Sequence, residues 1–184
     1  MKLYLARHGE TTWNVLDKIC GRTDVPLTEN GERQAEALAE KLRDIPLDRI
    51  IASPLMRAQR TAAPTAAMHN LPIETDNRLI EQDYGIYEGL NRFDEGFLNN
   101  KRQFAFCYPG GESMMQVAAR TYTLVEELGR KYPEENILLV CHGGVCRVLR
   151  TYFLDMTNDA FFHYAQDNGA FEVFDYPRQT KETF

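Results

Sequence analysis

The chain has 184 residues, 43% of them hydrophobic and 26% charged, with a formal net charge of −6. A chain of that length buries roughly 70% of the surface its unfolded form exposes, so no disulfide or metal staple is required. The acidic balance, with both signs mixed, excludes a nucleic-acid stripe, and no apolar run approaches the roughly 18 residues of a membrane span.

Lys2–Ala6 is a short apolar run that stops at Arg7-His8-Gly9 and reads as a strand followed by a loop. Thr28 can cap a helix whose apolar positions Ala35, Leu38, Ala39, Leu42 and Ile45 follow helical spacing. Arg49–Ala52 is a second strand. It runs into Ser53-Pro54, read as an N-cap with proline at the first helical position. The alanine-rich helix that follows is expected to kink or end near Pro64. Ile73–Asp76 is a third strand. Ser113 and Gln116 form a capping-box pattern that opens a helix to about Lys131, with Val117, Thr121, Leu124, Val125 and Leu128 on one face. Asn136–Cys141 is a continuous apolar strand ending at His142-Gly143-Gly144. A helix to about Asp155 and a strand over Ala170–Tyr176 follow, and the polar tail after Pro177 is expected to fray.

Strands alternating with helices predict a three-layer α/β/α fold with a mostly parallel central sheet. Ligands bind such sheets beyond the carboxyl ends of the strands. His8, His142 and the Ser53–Arg60 segment each follow a strand, so three separate stretches deliver polar groups to one edge.

Phosphoryl transfer needs a nucleophile, positive charge aimed at the equatorial oxygens and an acid for the leaving group. Arg7 and His8 stand together at a strand end. Arg57 lies four residues after Ser53, at a helix start that favours an anion, and a planar arginine fork suits phosphate. His142 precedes a second helix. The residues alone leave open which histidine is the nucleophile.

The motifs LYLARHGETTWN (Leu3–Asn14), GRTDVPLTENG (Gly21–Gly31), SPLMRAQRTA (Ser53–Ala62), LIEQDYGIYEG (Leu79–Gly89), PGGES (Pro109–Ser113) and VCHGG (Val140–Gly144) resemble, in order, those of the histidine phosphatase superfamily. That family includes the cofactor-dependent phosphoglycerate mutases. The resemblance implies one phosphoglycerate mutase-like domain over residues 1–184, with a small helical cap inserted at 82–112. It implies that His8 becomes phosphohistidine, that Arg7, Arg57 and His142 bind the phosphoryl group, and that Glu81 is the proton donor in preference to its neighbours Asp83 and Glu88. Asn14, Thr11, Gly21 and Gly143 are the expected substrate contacts. No metal and no cofactor are implied. His69 and His163 match no motif and are expected to be surface or core residues; Glu10 is expected to be structural.

Mutases of the family carry a longer insertion with paired arginines and lysines that grip a carboxylate. Here Leu90–Tyr108 is short, with Lys101-Arg102 its only basic pair, which favours a hydrolase acting on a small phosphomonoester over the alternative, a phosphoglycerate mutase. Phe93, Phe97, Phe104, Phe106 and Tyr108 make this segment aromatic, either as a pocket wall or as an anchor to the core. An arginine crowded among like charges, Arg57 is expected to add little to folding. Cys141 and Arg147 match the C-x5-R spacing of cysteine-dependent phosphatases, a spacing that chance readily supplies among four cysteines and many arginines. Cys141 is therefore read as a buried strand-end residue. Cys20, Cys107, Cys141 and Cys146 lack zinc-type spacing, and the first residues turn charged too soon for a secretory leader. Reduced thiols in the cytoplasm, no nucleic-acid or membrane partner, and a homodimer as an open option complete the expectation.

Overall fold

Five short strands pair into one sheet in the computed structural model, which describes residues 1–177; the tail expected to fray lies outside the described residues. The strands are β1 (Lys2–Arg7), β2 (Arg49–Ala52), β3 (Ile73–Thr75), β4 (Asn136–Cys141) and β5 (Phe171–Asp175). Their order is β3-β2-β4-β1-β5, with the first four parallel and β5 antiparallel on β1. The helices are α1 (Thr12–Val15), α2 (Glu29–Leu42), α3 (Met56–His69), α4 (Glu95–Lys101), α5 (Met114–Lys131), α6 (Gly143–Phe153) and α7 (Asn158–His163).

Alternation along the strands sends side chains to two cores. Leu3, Leu5 and Leu139 pack with Val117, Leu124, Val145 and Leu149 of α5 and α6. Tyr4, Ala6, Leu138 and Val140 pack with Leu38 and Leu42 of α2 and with Ala58 and Ala62 of α3. Helices thus cover both faces, and β4, central in the sheet, is buried from Ile137 to Cys141. That explains its unbroken apolar run. Thr28 caps α2 by accepting from Gly31 N at 3.0 Å, and the Ser113–Gln116 capping box opens α5.

Three local expectations differ. Ser53 does not cap α3; Leu55 holds that position without a side-chain bond. The Ser53 hydroxyl is instead taken up by His142 Nε2, which donates to it at 2.7 Å. The α3 helix passes through Pro64 to His69, because Ala62, Thr65 and Ala66 on either side are buried and packing outweighs one missing N–H. α6 ends at Phe153, short of Asp155.

The aromatic segment divides between its two expected roles. Phe97 stacks on Tyr108 with ring centroids 5.5 Å apart, and both join Tyr84 and Ile19 in a small third core. Phe104 packs edge-on against Phe161 of α7 at 5.0 Å. Phe106 is exposed. Phe93 and Phe97 line the cavity described below.

Candidate active site

The site arises from strand pairing. β1 and β4 are in parallel register with Arg7 opposite Cys141, so His8 and His142 emerge side by side, their ring centroids 5.2 Å apart. Ladder bonds continue one step past each strand: His8 N donates to Cys141 O at 2.9 Å and Ser53 N to Val140 O at 3.0 Å. The three stretches expected at one edge do meet there.

His8 is 4% exposed. Its Nδ1 lies 2.7 Å from the Gly9 carbonyl oxygen. A carbonyl can only accept, so Nδ1 carries the proton and Nε2 keeps its lone pair. Asn168 Nδ2 donates to the His8 carbonyl at 2.9 Å. Gly9 N is fixed by donating to Thr61 Oγ1 at 2.9 Å. Burial, then the positive charges of Arg57 and Arg7, push His8 well below the ordinary histidine pKa.

Arg57 is fully buried. It donates through Nε to His142 Nδ1 at 3.2 Å, through NH1 to Thr23 O at 2.9 Å and through NH2 to Gly21 O at 2.7 Å. The Asp24 carboxylate stands 3.8 Å away. This differs from the expectation of a cation that contributes little to folding, since two buried acceptors and one part-buried acceptor depend on it. With Nδ1 accepting, His142 is the Nε2–H tautomer, donating to Ser53. Burial, then Arg57, His8 and Arg7, hold it well below the ordinary range. Arg7 donates to Gln166 O at 2.6 Å, while its Nε is buried with no acceptor.

Both histidines are therefore neutral when folded, whereas in the unfolded chain they titrate near 6.5. The unfolded state takes up the extra protons below that value. Stability is full above about pH 6.5 and is lost as pH falls, by up to about 1.4 kcal/mol per unit for each histidine. Urea unfolding between about pH 7 and 5.5 is expected to show this loss, with a shallower slope in His142→Gln. A slope that His142→Gln leaves unchanged would contradict a buried neutral imidazole.

Glu81 is 4% exposed. Its Oε1 accepts from Gln82 N at 2.8 Å and its Oε2 from Gly144 N at 2.9 Å, in the first turn of α6. A Cβ on Gly144 would stand 2.6 Å from Glu81 Oε1, so glycine is what lets this carboxylate reach the helix end. Asp83 pairs with Arg22 at 3.4 Å. Glu88 accepts from Arg22 N at 2.7 Å and Thr23 N at 2.9 Å. Of the three neighbouring carboxylates, only Glu81 lines the cavity.

That cavity, about 450 Å³, has Arg7, His8, Asn14, Glu81 and Gly143 on its wall. Arg57 and His142 sit directly behind them. Thr11 and Gly21 are not on the wall. Thr11 is fully buried and forms a capping box with Asn14, and Gly21 offers its carbonyl to Arg57. Glu10 accepts from the Thr28 hydroxyl at 2.7 Å. His163 is exposed at the cavity mouth, and His69 bonds to Leu42 O at 3.1 Å. Cys141 is buried off the cavity, its Sγ 3.4 Å from that of Cys146. Among the described residues, no group of three His, Cys, Asp or Glu could hold a metal ion. The sequence reading missed Gln166 and Asn168, which act through main-chain oxygens and belong to no periodic pattern. It also missed Tyr84, on the cavity wall.

The family model of the histidine phosphatase superfamily (branch 1) matches residues 3–183. The uncharacterized phosphatase PhoE of Bacillus subtilis is 37% identical over 147 residues, covering 80% of this chain and 74% of PhoE. The probable phosphoglycerate mutase GpmB of Salmonella choleraesuis is 37% identical over 151 residues, covering 78% and 70%. The mycobacterial glucosyl-3-phosphoglycerate phosphatase, solved in complex with VO3, superposes with a TM-score of 0.85 at 32% identity, covering 94% of this chain and 90% of that one.

Proposed function

Since the chain belongs to branch 1 of the histidine phosphatase superfamily, we propose that it hydrolyses a small phosphomonoester through a phosphohistidine at His8. The observation that carries this reading is the His8 tautomer. Donation from Nδ1 to Gly9 O leaves the Nε2 lone pair free at a cavity wall that also presents Arg7. Nε2 attacks phosphorus, the bond to the substrate oxygen breaks, and Glu81 protonates the departing alcohol. Glu81 then takes a proton from water, which attacks the phosphohistidine and releases phosphate. Arg7, Arg57, His142 and Asn14 stabilise charge on the transferring group, positioned before reaction begins. Residues 82–112 act as a cap over this edge, with α4 as their helix.

Several relatives, GpmB proteins of different bacteria, are named probable phosphoglycerate mutases, and a mutase would return the phosphoryl group to another substrate oxygen. The short Leu90–Tyr108 segment, without an adjacent arginine pair, favours water as acceptor. Given 3-phosphoglycerate and a bisphosphoglycerate primer, the protein is expected to release phosphate and form no isomer. Rapid isomerisation without phosphate release would overturn hydrolysis and leave the histidine chemistry standing. We infer a reducing, cytoplasmic setting from four free thiols and from the lack, among the described residues, of a helix able to cross a membrane.

A further inference from the structure

The cavity does not end at the histidines. It runs on between α4, α6 and α7, where Lys18, Arg92, Lys101, Arg102 and Arg147 line it. Among the described residues, Glu81 is the one carboxylate on this wall, although the chain as a whole carries a net charge of −6. Positive charge has been gathered here, and of the five cations Arg92 alone makes an ion pair among the described residues.

Arg92 is 3.4 Å from Asp17 at the exposed rim. The cations at the end of α4 and on α6 are arranged differently, with Arg102 exposed and Lys101 and Arg147 partly buried. Lys101 and Arg102 stand 4.6 and 3.8 Å over the ring of Phe162. Arg147 lies 5.6 Å from the ring of Phe161, and its NH1 is buried without an acceptor. A buried donor left unpaired costs free energy that an arriving acceptor would recover. Burial, then the charges of Arg147, Arg92 and Arg102, push Lys101 down to about 8. Like charges crowded in this way call for a counter-ion.

The spacing points to what that counter-ion is attached to. Gly143 and Arg147 both line the cavity from α6, and four residues of helix separate them by about 6 Å. Gly143 sits against Arg7, where a Cβ would be 3.4 Å from Arg7 Nε. One helical turn therefore spans from the phosphoryl position to the second group of cations, a distance suited to the skeleton of a small metabolite.

We propose that Arg147, Lys101 and Arg102 bind a second anionic group of the substrate, so that the preferred substrates are small phosphomonoesters carrying a further carboxylate or phosphate. The inference rests on the reading that the phosphoryl group is transferred at His8. It does not depend on an adjacent arginine pair, because these cations come from the end of α4 and from α6.

The test uses substrates matched except for the second anion: O-phosphoserine against O-phosphoethanolamine, 3-phosphoglycerate against glycerol 3-phosphate, and fructose 1,6-bisphosphate against fructose 6-phosphate. The first two pairs report a carboxylate and the third a phosphate. In at least one pair the dianionic member is expected to have a kcat/KM higher by about tenfold or more, as a charged hydrogen bond would give. In Arg147→Met and in Arg102→Met that ratio should fall toward one, with most of the loss in KM. Each ratio is internal to one protein, so partial misfolding of a variant cancels. Wild-type ratios below about threefold in every pair, or ratios that neither substitution changes, would overturn the subsite. If none of these esters were hydrolysed, the reading of His8 would fail. Calorimetric binding of the same pairs to the wild-type protein would then decide the subsite separately: tighter binding of the dianionic members supports it, and equal binding refutes it.

Discussion

His8→Ala is expected to abolish turnover, while Cys141→Ser keeps most of it. His163, on the same wall, has its Nδ1 3.0 Å from Asp159 O but stands exposed at the mouth, whereas the His8 imidazole is buried beside Arg7. Cys141 is buried against Cys146 and absent from that wall, so its thiol has no path to a substrate. The serine variant should lose about 1–3 kcal/mol of stability from a hydroxyl in an apolar setting, without losing rate per folded molecule. Chemical quench of the wild type with an activated ester should trap phosphoprotein that is labile in acid and stable in base, and His8→Ala should trap none. A folded Cys141→Ser protein without activity would sink this assignment and revive the cysteine reading.

Arg57→Ala is expected to strike rate and stability together. Loss of a donor organised before the transition state should lower kcat by roughly 10²–10³. The same substitution leaves Gly21 O and His142 Nδ1 unpaired in the interior and Thr23 O unpaired at a part-buried position. Unpaired buried acceptors cost roughly 1–3 kcal/mol each, offset in part by relaxation, so a loss of about 3 kcal/mol in urea unfolding is the expected scale. A variant within about threefold of wild-type kcat would show that Arg57 does not serve the transferring phosphoryl group. A variant of unchanged stability would contradict the hydrogen bonds that hold it.

The double effect of Arg57 marks where reading from sequence ran out. Strands β1, β2 and β4 were legible because each is a short apolar run ending at a charged or polar motif, whereas β3 has Ile73 as its one apolar residue. The caps of α2 and α5 were legible because a cap is settled within four residues. Thr28 and Ser113 announce their helices without help from the rest of the chain. Helices α1, α4 and α7, at four to seven residues, carry too little periodicity to read, and contacts made elsewhere hold them. Arg57 stood out as a phosphate ligand at a helix start. Its burial depends on a loop more than thirty residues earlier that brings the Gly21 and Thr23 carbonyls over it. The cations around Phe161 and Phe162 come from α6 and from the end of α4, so only the folded chain brings them together.

Pairing β1 with β4 and β5 means that the working edge is sewn together from the two ends of the chain. Arg7 and Gln166 are 159 residues apart, His142 and Ser53 are 89, and His142 and Arg57 are 85. Loops of that length must close before any of these contacts repays the entropy of closing them. During refolding, α5 can gain helix early from its own capping box. Enzymatic competence can arrive only once the terminal strand has docked beside the first. Activity is thus a reporter of completed folding, and a chain cut short before β5 keeps Gln166 and Asn168 but loses the strand that anchors their loop beside Arg7 and His8.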